Sequence, residues 1–248
     1  MCTVSIIGIR EYEPGAAGYR LVCNRDESRK RAPAAAPRWR AIGDTGVRGL
    51  WPMDLDAGGT WLGVSESGLA LAVLNLNEGP ASPRPPGNIS RGLLIPELLN
   101  ETGPGTVFAR VARMELGKFP PFRIIAIDPA DGMSIGEIRW SRRELTTHWH
   151  PDGPACFTSS GLGDALVRPR VALFEEMVLR PGPTPERQDE FHRHTWPDRP
   201  HLSVLMSRSD ARTVSITTLE VRPGELPRMS YEPLATGATA EVVQGSSR

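Results

Sequence analysis

Apolar residues recur at short intervals from the start of the chain. Val4, Ile6, Ile7 and Ile9 within residues 3–9 predict a strand, and Tyr19 to Cys23 predict a second one after the turn signal Glu13-Pro14-Gly15. Two strands so close form a hairpin. A turn centred near Pro14-Gly15 pairs residues whose numbers sum to roughly 28 or 29, which sets Cys2 beside Asp26 and Glu27 with Arg25 one step away. A second hairpin is predicted from Trp61 to Ser65 and Leu69 to Asn75 around Glu66-Ser67-Gly68. Its partners sum to about 134, placing Asn75 opposite Gly59.

Between and after these hairpins the pattern changes period. Residues 29–40 are basic and Pro/Ala-rich and read as an exposed loop, and residues 78–90 hold too much Pro and Gly for regular structure. Ser90 can cap a helix running to about Asn100, and Thr106 to Leu116 predicts another. Strands are expected at about 122–128, 134–140, 144–149 and 155–158. Leu166 to Leu179 has helical spacing through Val171, Phe174 and Val178, and residues 181–200 are polar and Pro-rich with room for one short helix. His201 to Ser207 and Thr213 to Val221 predict a last hairpin, and the small, polar residues 236–248 a frayed tail. Strands, then a helix pair, then strands imply sheets sandwiched by helices in one α+β domain over residues 1–235.

Composition narrows the function classes. Of 248 residues, 39% are hydrophobic and 23% charged, enough apolar content for a sizeable core. Lys+Arg and Asp+Glu both number 29, so no net charge draws the chain to nucleic acid. No window nears eighteen consecutive apolar residues, the start lacks a signal-peptide pattern, and three cysteines make no disulfide framework; a cytoplasmic location is the expectation.

Cys2 carries the first candidate chemistry. Removal of Met1 would leave one residue holding both a thiol and a free α-amine, whose pKa of about 8 lets it act as a base near neutrality. A guanidinium nearby would lower the thiol pKa. Asn24-Arg25-Asp26-Glu27, three charged residues directly after a strand, lands beside the terminus by the hairpin register: Asp26 can anchor the ammonium, Arg25 the thiolate or a substrate carboxylate. Gly58-Gly59-Thr60-Trp61 sets bare backbone against another element, with Trp61 packed over it as core, rim or pocket wall. His148-x-His150 and His192-x-His194 have a spacing that can bind transition metals, but no cysteine or carboxylate joins either pair, so no metal is assigned. The basic run Arg25 to Arg40 suits a solvated loop or an anionic ligand.

These motifs together resemble the NRDE family of Transport and Golgi organization protein 2. The resemblance rests on Met-Cys at the start, Asn24-Arg25-Asp26-Glu27, Gly58-Gly59-Thr60-Trp61-Leu62-Gly63, Leu74-Asn75-Leu76-Asn77, Arg91-Gly92, Phe122, and Thr158-Ser159-Ser160 followed by Arg168. More distantly the chain is similar to the choloylglycine and penicillin V hydrolases. That likeness implies a four-layer αββα sandwich of the N-terminal-nucleophile type and cleavage of a small-molecule amide, with no cofactor. Cys2, Arg25, Asp26 and Asn75 match catalytic positions, Asn75 as an oxyanion-hole donor. Asn24, Glu27, Trp61, Ser159, Ser160 and Arg208 are the expected substrate-binding residues. Two departures stand out. Those amidases read Arg-Asn-x-Asp where this chain reads Asn-Arg-Asp, and their second active-site Asn falls near Ser159 or Ser160. The NRDE resemblance also implies an alternative, a non-enzymatic carrier of haem or of lipid and acyl-coenzyme A species, in which Cys2 would be a soft ligand.

Overall fold

A computed structural model describes residues 2–10, 17–79, 89–129, 133–151, 153–234 and 240–244. Thirteen strands and four α-helices are assigned among them. The strands are β1 (Cys2–Arg10), β2 (Ala17–Ser28), β3 (Ala35–Ala41), β4 (Arg48–Met53), β5 (Leu62–Ser65), β6 (Ala70–Asn75), β7 (Phe122–Asp128), β8 (Ser134–Trp140), β9 (Leu145–His150), β10 (Ala155–Thr158), β11 (Ala211–Val221), β12 (Arg228–Pro233) and β13 (Glu241–Gln244). The helices are α1 (Leu94–Leu98), α2 (Pro104–Val111), α3 (Pro169–Phe174) and α4 (Pro185–Arg193). A 3-10 turn at Arg91–Leu93 leads into α1, and a π-helical turn at Glu175–Leu179 extends α3.

Two antiparallel sheets form, ordered β10-β1-β2-β11-β12-β13 and β3-β4-β5-β6-β7-β8-β9. Between them lies an apolar layer that includes Val4, Ile6, Leu21, Leu62, Val64, Ile125 and Leu219. The seven-stranded sheet packs its other face, through Leu71, Ile124 and Ile138, on Leu94, Ile95, Leu98 and Val107 of α1 and α2. Ile7 of the six-stranded sheet meets Phe174, Val178 and Phe191 from α3, its extension and α4. Each such side chain, removed from water, contributes about 1.5–3 kcal/mol, so burial on both sides of both sheets holds four layers together. The αββα expectation is borne out.

Several local expectations need correction. The second hairpin has the expected register, with Leu62 opposite Ala72 and Val64 opposite Ala70. In the first, Cys2 pairs with Arg25 and Thr3 with Asn24, so Arg25 rather than Asp26 is its direct neighbour. The expected turn there, Glu13-Pro14-Gly15, lies outside the described residues. The loop predicted over 29–40 contains edge strand β3, and residues 241–244, within the expected tail, pair with β12 as β13. Residues 201–207 are not a strand: β11 pairs instead with β2 and β12, leaving one bridge, Ser207 to Arg212. No helix among the described residues is long and apolar enough to cross a membrane.

Candidate active site

Strand alternation sorts the residues around the N-terminus. Opposed residues of an antiparallel pair share a face, so Cys2, Arg25, Val4 and Cys23 point together into the space between the sheets. Thr3, Ser5, Asn24 and Asp26 point the other way, towards α3 and α4. Cys2 borders a cleft of about 80 Å³ whose walls include Arg25, Asp26, Glu27, Trp61, Asn75 and Arg91.

Cys2 is held at both ends of its backbone. Its amide N donates to Ser159 Oγ at 3.2 Å, and the Ser159 amide donates back to the Cys2 carbonyl at 2.9 Å. That exchange continues the pairing of β1 with β10, in which Thr3 faces Thr158. Hydrogen bonding from the Cys23 thiol lowers the Cys2 thiol pKa against the effect of burial, and Arg25 adds to the lowering. The same bond, together with burial, raises Cys23 well above its ordinary value, and burial pushes Cys156 up to about 12. Among the three thiols, Cys2 is the one whose pKa is lowered and the one that borders the cleft.

Arg25 is only 4% exposed and is fixed on two sides. Its guanidinium donates to Asp54 Oδ2 at 2.6 Å and lies 4.3 Å from the Trp61 ring centroid. Asp54 also accepts from Arg31 at 2.8 Å. Burial alone would raise the Asp54 pKa, but the charge of Arg25 and the bond from Arg31 outweigh it and keep the carboxylate ionised. Arg31 is 3.8 Å from Glu27, so an Arg25–Asp54–Arg31–Glu27 chain of alternating charge borders the cleft.

Asp26 borders the cleft too, but its carboxylate is engaged on the far side. It accepts from Thr213 Oγ1 at 2.6 Å and sits 3.5 Å from Arg170 Nη1. Burial raises its pKa, opposed by Arg170. Arg170, itself 1% exposed, also donates to Thr3 Oγ1 and the Leu202 carbonyl. Asn24 lies in a closed network. Its amide donates to the carbonyls of His192 and Val204, its Oδ1 meets His192 Nδ1 at 2.8 Å, and His192 Nε2 meets Ser5 Oγ at 2.7 Å. Burial lowers the His192 pKa well below its ordinary value.

The cleft's other wall comes from the seven-stranded sheet. Asn75 ends β6, and its Oδ1 accepts from Arg91 Nη1 at 2.6 Å. The 3-10 turn carrying Arg91 is pressed against the chain before β5: Thr60 N donates to the Gly92 carbonyl at 2.9 Å, and a Cβ on Gly59 would fall 2.4 Å from the Gly92 carbonyl carbon. The expected close backbone approach at Gly58-Gly59 is therefore a contact with Gly92, and it brings two of the quoted motifs together.

Cys2, Arg25, Asp26, Glu27, Asn75 and Trp61 thus gather at one cleft, and Ser159 bonds the backbone of Cys2. Three other expected residues do not line it. Asn24 faces α4. Ser160 binds Asp164 through its amide and Asn77 through its carbonyl. Arg208 pairs with Asp210. The histidine pairs separate as well: His150 bonds Glu137 at 2.9 Å, and His192 is enclosed as described. Asp54 and Arg170 had not been picked out in the sequence. Arg170 left a signal, since it falls on the same helical stripe as Val167 and Phe174, where a lone arginine needs a buried partner. Asp54 left none, because its role depends on a contact across sheets.

Comparisons with known proteins agree with this architecture. No curated protein matches the sequence. Penicillin V acylase from Agrobacterium tumefaciens superposes with a TM-score of 0.52 at 15% identity, over 98% of this chain and 86% of that one. The C2A mutant of conjugated bile acid hydrolase from Clostridium perfringens gives 0.57 at 10% identity, over 97% and 92%. The Caenorhabditis elegans N-acylethanolamine-hydrolyzing acid amidase ortholog gives 0.52 at 14% identity, over 87% and 92%. At such identities the likeness establishes the fold, the αββα sandwich of the N-terminal-nucleophile type. The family model for Transport and Golgi organisation 2 matches residues 1–167, two-thirds of the sequence, and the chain belongs to that family.

Proposed function

We propose that the protein is an amidohydrolase that cleaves a carbon–nitrogen bond in a small molecule, with Cys2 as nucleophile. The observation that carries the proposal is the setting of Cys2: a thiol with a lowered pKa at the wall of a cleft, opposite Arg25 in register, with Asn75 across the opening. After removal of Met1, the free α-amine takes the thiol proton as sulfur attacks the substrate carbonyl. The negative charge that develops on the carbonyl oxygen is met by the Asn75 amide N–H. Collapse of the intermediate expels the amine, which takes its proton from the α-ammonium and leaves a thioester on Cys2. Water, activated by the same α-amine, then releases the acid. Ser159 Oγ, which accepts from the Cys2 nitrogen, orients the amine. Arg25 favours the thiolate.

Intact-mass analysis after incubation with a β-lactam tests the reading. A single acyl adduct is expected on protein lacking Met1, absent from Cys2→Ala and retained in Cys23→Ala and Cys156→Ala. Adducts spread evenly over the three thiols would overturn the assignment.

A further inference from the structure

The Arg91-Gly92 motif is not used by the chemistry above, yet Arg91 makes the shortest polar contact of Asn75. An asparagine amide can point either end at the cleft, and the two ends do opposite things to an oxyanion: Nδ2 donates, Oδ1 repels. A guanidinium has five donors and no acceptor, so whatever atom faces Arg91 Nη1 at 2.6 Å must be the amide oxygen. That fixes the rotamer end for end. Nδ2 is left directed away from Arg91, and it makes no hydrogen bond among the described residues. Arg91 is itself anchored, since its Nε donates to the Pro121 carbonyl at 2.8 Å. The turn that bears it is docked by the backbone contact of Gly92 with Gly59 and Thr60.

We infer that Arg91 is a positioning residue that locks the Asn75 amide with its N–H end towards the cleft and so completes the oxyanion hole. The inference rests on the proposed hydrolase reading but makes its own demand. Arg91 must matter only to reactions in which a carbonyl oxygen gains charge.

Two reagents for the same thiol separate these cases. Iodoacetamide alkylates Cys2 by displacement of iodide, with no oxyanion formed. p-Nitrophenyl acetate acylates it through a tetrahedral oxyanion, with p-nitrophenolate leaving. Removal of a single oxyanion donor costs about 100-fold or more, so Asn75→Ala should slow acylation by that order while alkylation stays within about twofold. Arg91→Gln, which permits the amide to turn over, should slow acylation about tenfold with alkylation unchanged, and the double variant should be no slower than Asn75→Ala alone. Arg91→Lys keeps a donor-only partner and should recover most of the rate. Equal slowing of both reactions by Arg91→Gln, or independent losses that multiply in the double variant, would overturn the inference. Normal wild-type acylation that ignores Arg91 would overturn it while leaving the hydrolase reading intact. A wild type that is alkylated at Cys2 but never acylated there would overturn both.

Discussion

The two faces of β2 use the same tetrapeptide in opposite ways. On the inner face, Arg25 and Glu27 border a cleft open to solvent, and their charges are shared with Asp54 and Arg31 in a chain that a ligand could enter. On the outer face, Asn24 and Asp26 are at most 1% exposed, and their side chains are bonded to Ser5-linked His192, Thr213 and Arg170. One contiguous motif is therefore two motifs interleaved with the period of a strand. The inner half arranges charge around Cys2. The outer half ties α3 and α4 to the sheet and fixes where β1 and β2 lie. A motif of four residues on a strand need not mark four residues of one site.

Substitutions can break that comparison. The largest effect is expected for Asp26→Ala, which leaves Arg170 buried without its carboxylate and should cost about 3–5 kcal/mol in denaturant unfolding. Asn24→Ala strands the carbonyls of His192 and Val204 and one nitrogen of the His192 ring, for a loss of about 2–3 kcal/mol by the same measurement. Acidification should act next, through His192. Its folded pKa lies well below the 6.5 of the unfolded chain, so the unfolded state takes up the proton first. The stability that neutral His192 contributes is present above pH 6.5 and is lost as pH falls below it, by up to about 1.4 kcal/mol per pH unit. Unfolding curves for His192→Gln compared with wild type should lose this dependence just below pH 6.5. The smallest stability effect is expected on the inner face. Arg25→Met removes a buried charge-assisted bond but leaves Asp54 paired with Arg31, so it should cost about 1–2 kcal/mol, yet slow iodoacetamide labelling of Cys2 several-fold at neutral pH. A melting curve for Arg25→Met as damaged as that of Asp26→Ala would erase the distinction between the faces.

The sequence carried the layer order of the fold well, because amphipathic strands and helices must bury one face each. It placed Cys2 near the tetrapeptide but erred by one residue in register, since Pro14-Gly15 marks a turn without fixing its length. A one-residue slip exchanges faces, so it swapped Arg25 and Asp26. Parity along the strand held the missing information: Tyr19, Leu21 and Cys23 are inward, and Arg25 follows in the same phase. β12 left a similar signal in Met229 and Tyr231, both buried at alternate positions. β3 was harder to see, because an edge strand rich in Ala, Pro and Arg lacks an apolar stripe. The misread strand at 201–207 shows the opposite error, since Val204 is buried against Phe174 and Phe191 without belonging to a ladder. Ser159 was legible only as a position. Its bond to the backbone of Cys2 arises from β10 lying beside β1, a pairing of segments distant in the chain.

The contact of Gly59 with Gly92 has a consequence for how this protein tolerates change. A full substitution scan should reveal two kinds of intolerant position around the cleft. At Cys2, Asn75 and Arg91, intolerance would be graded by chemistry, with close mimics surviving better than distant ones. At Gly59 and Gly92, even alanine meets backbone at 2.4 to 2.8 Å, so the loss would be all-or-none and indifferent to what the new side chain can do. A profile of that shape would separate positions that matter for the groups they carry from positions that matter for the empty space they leave.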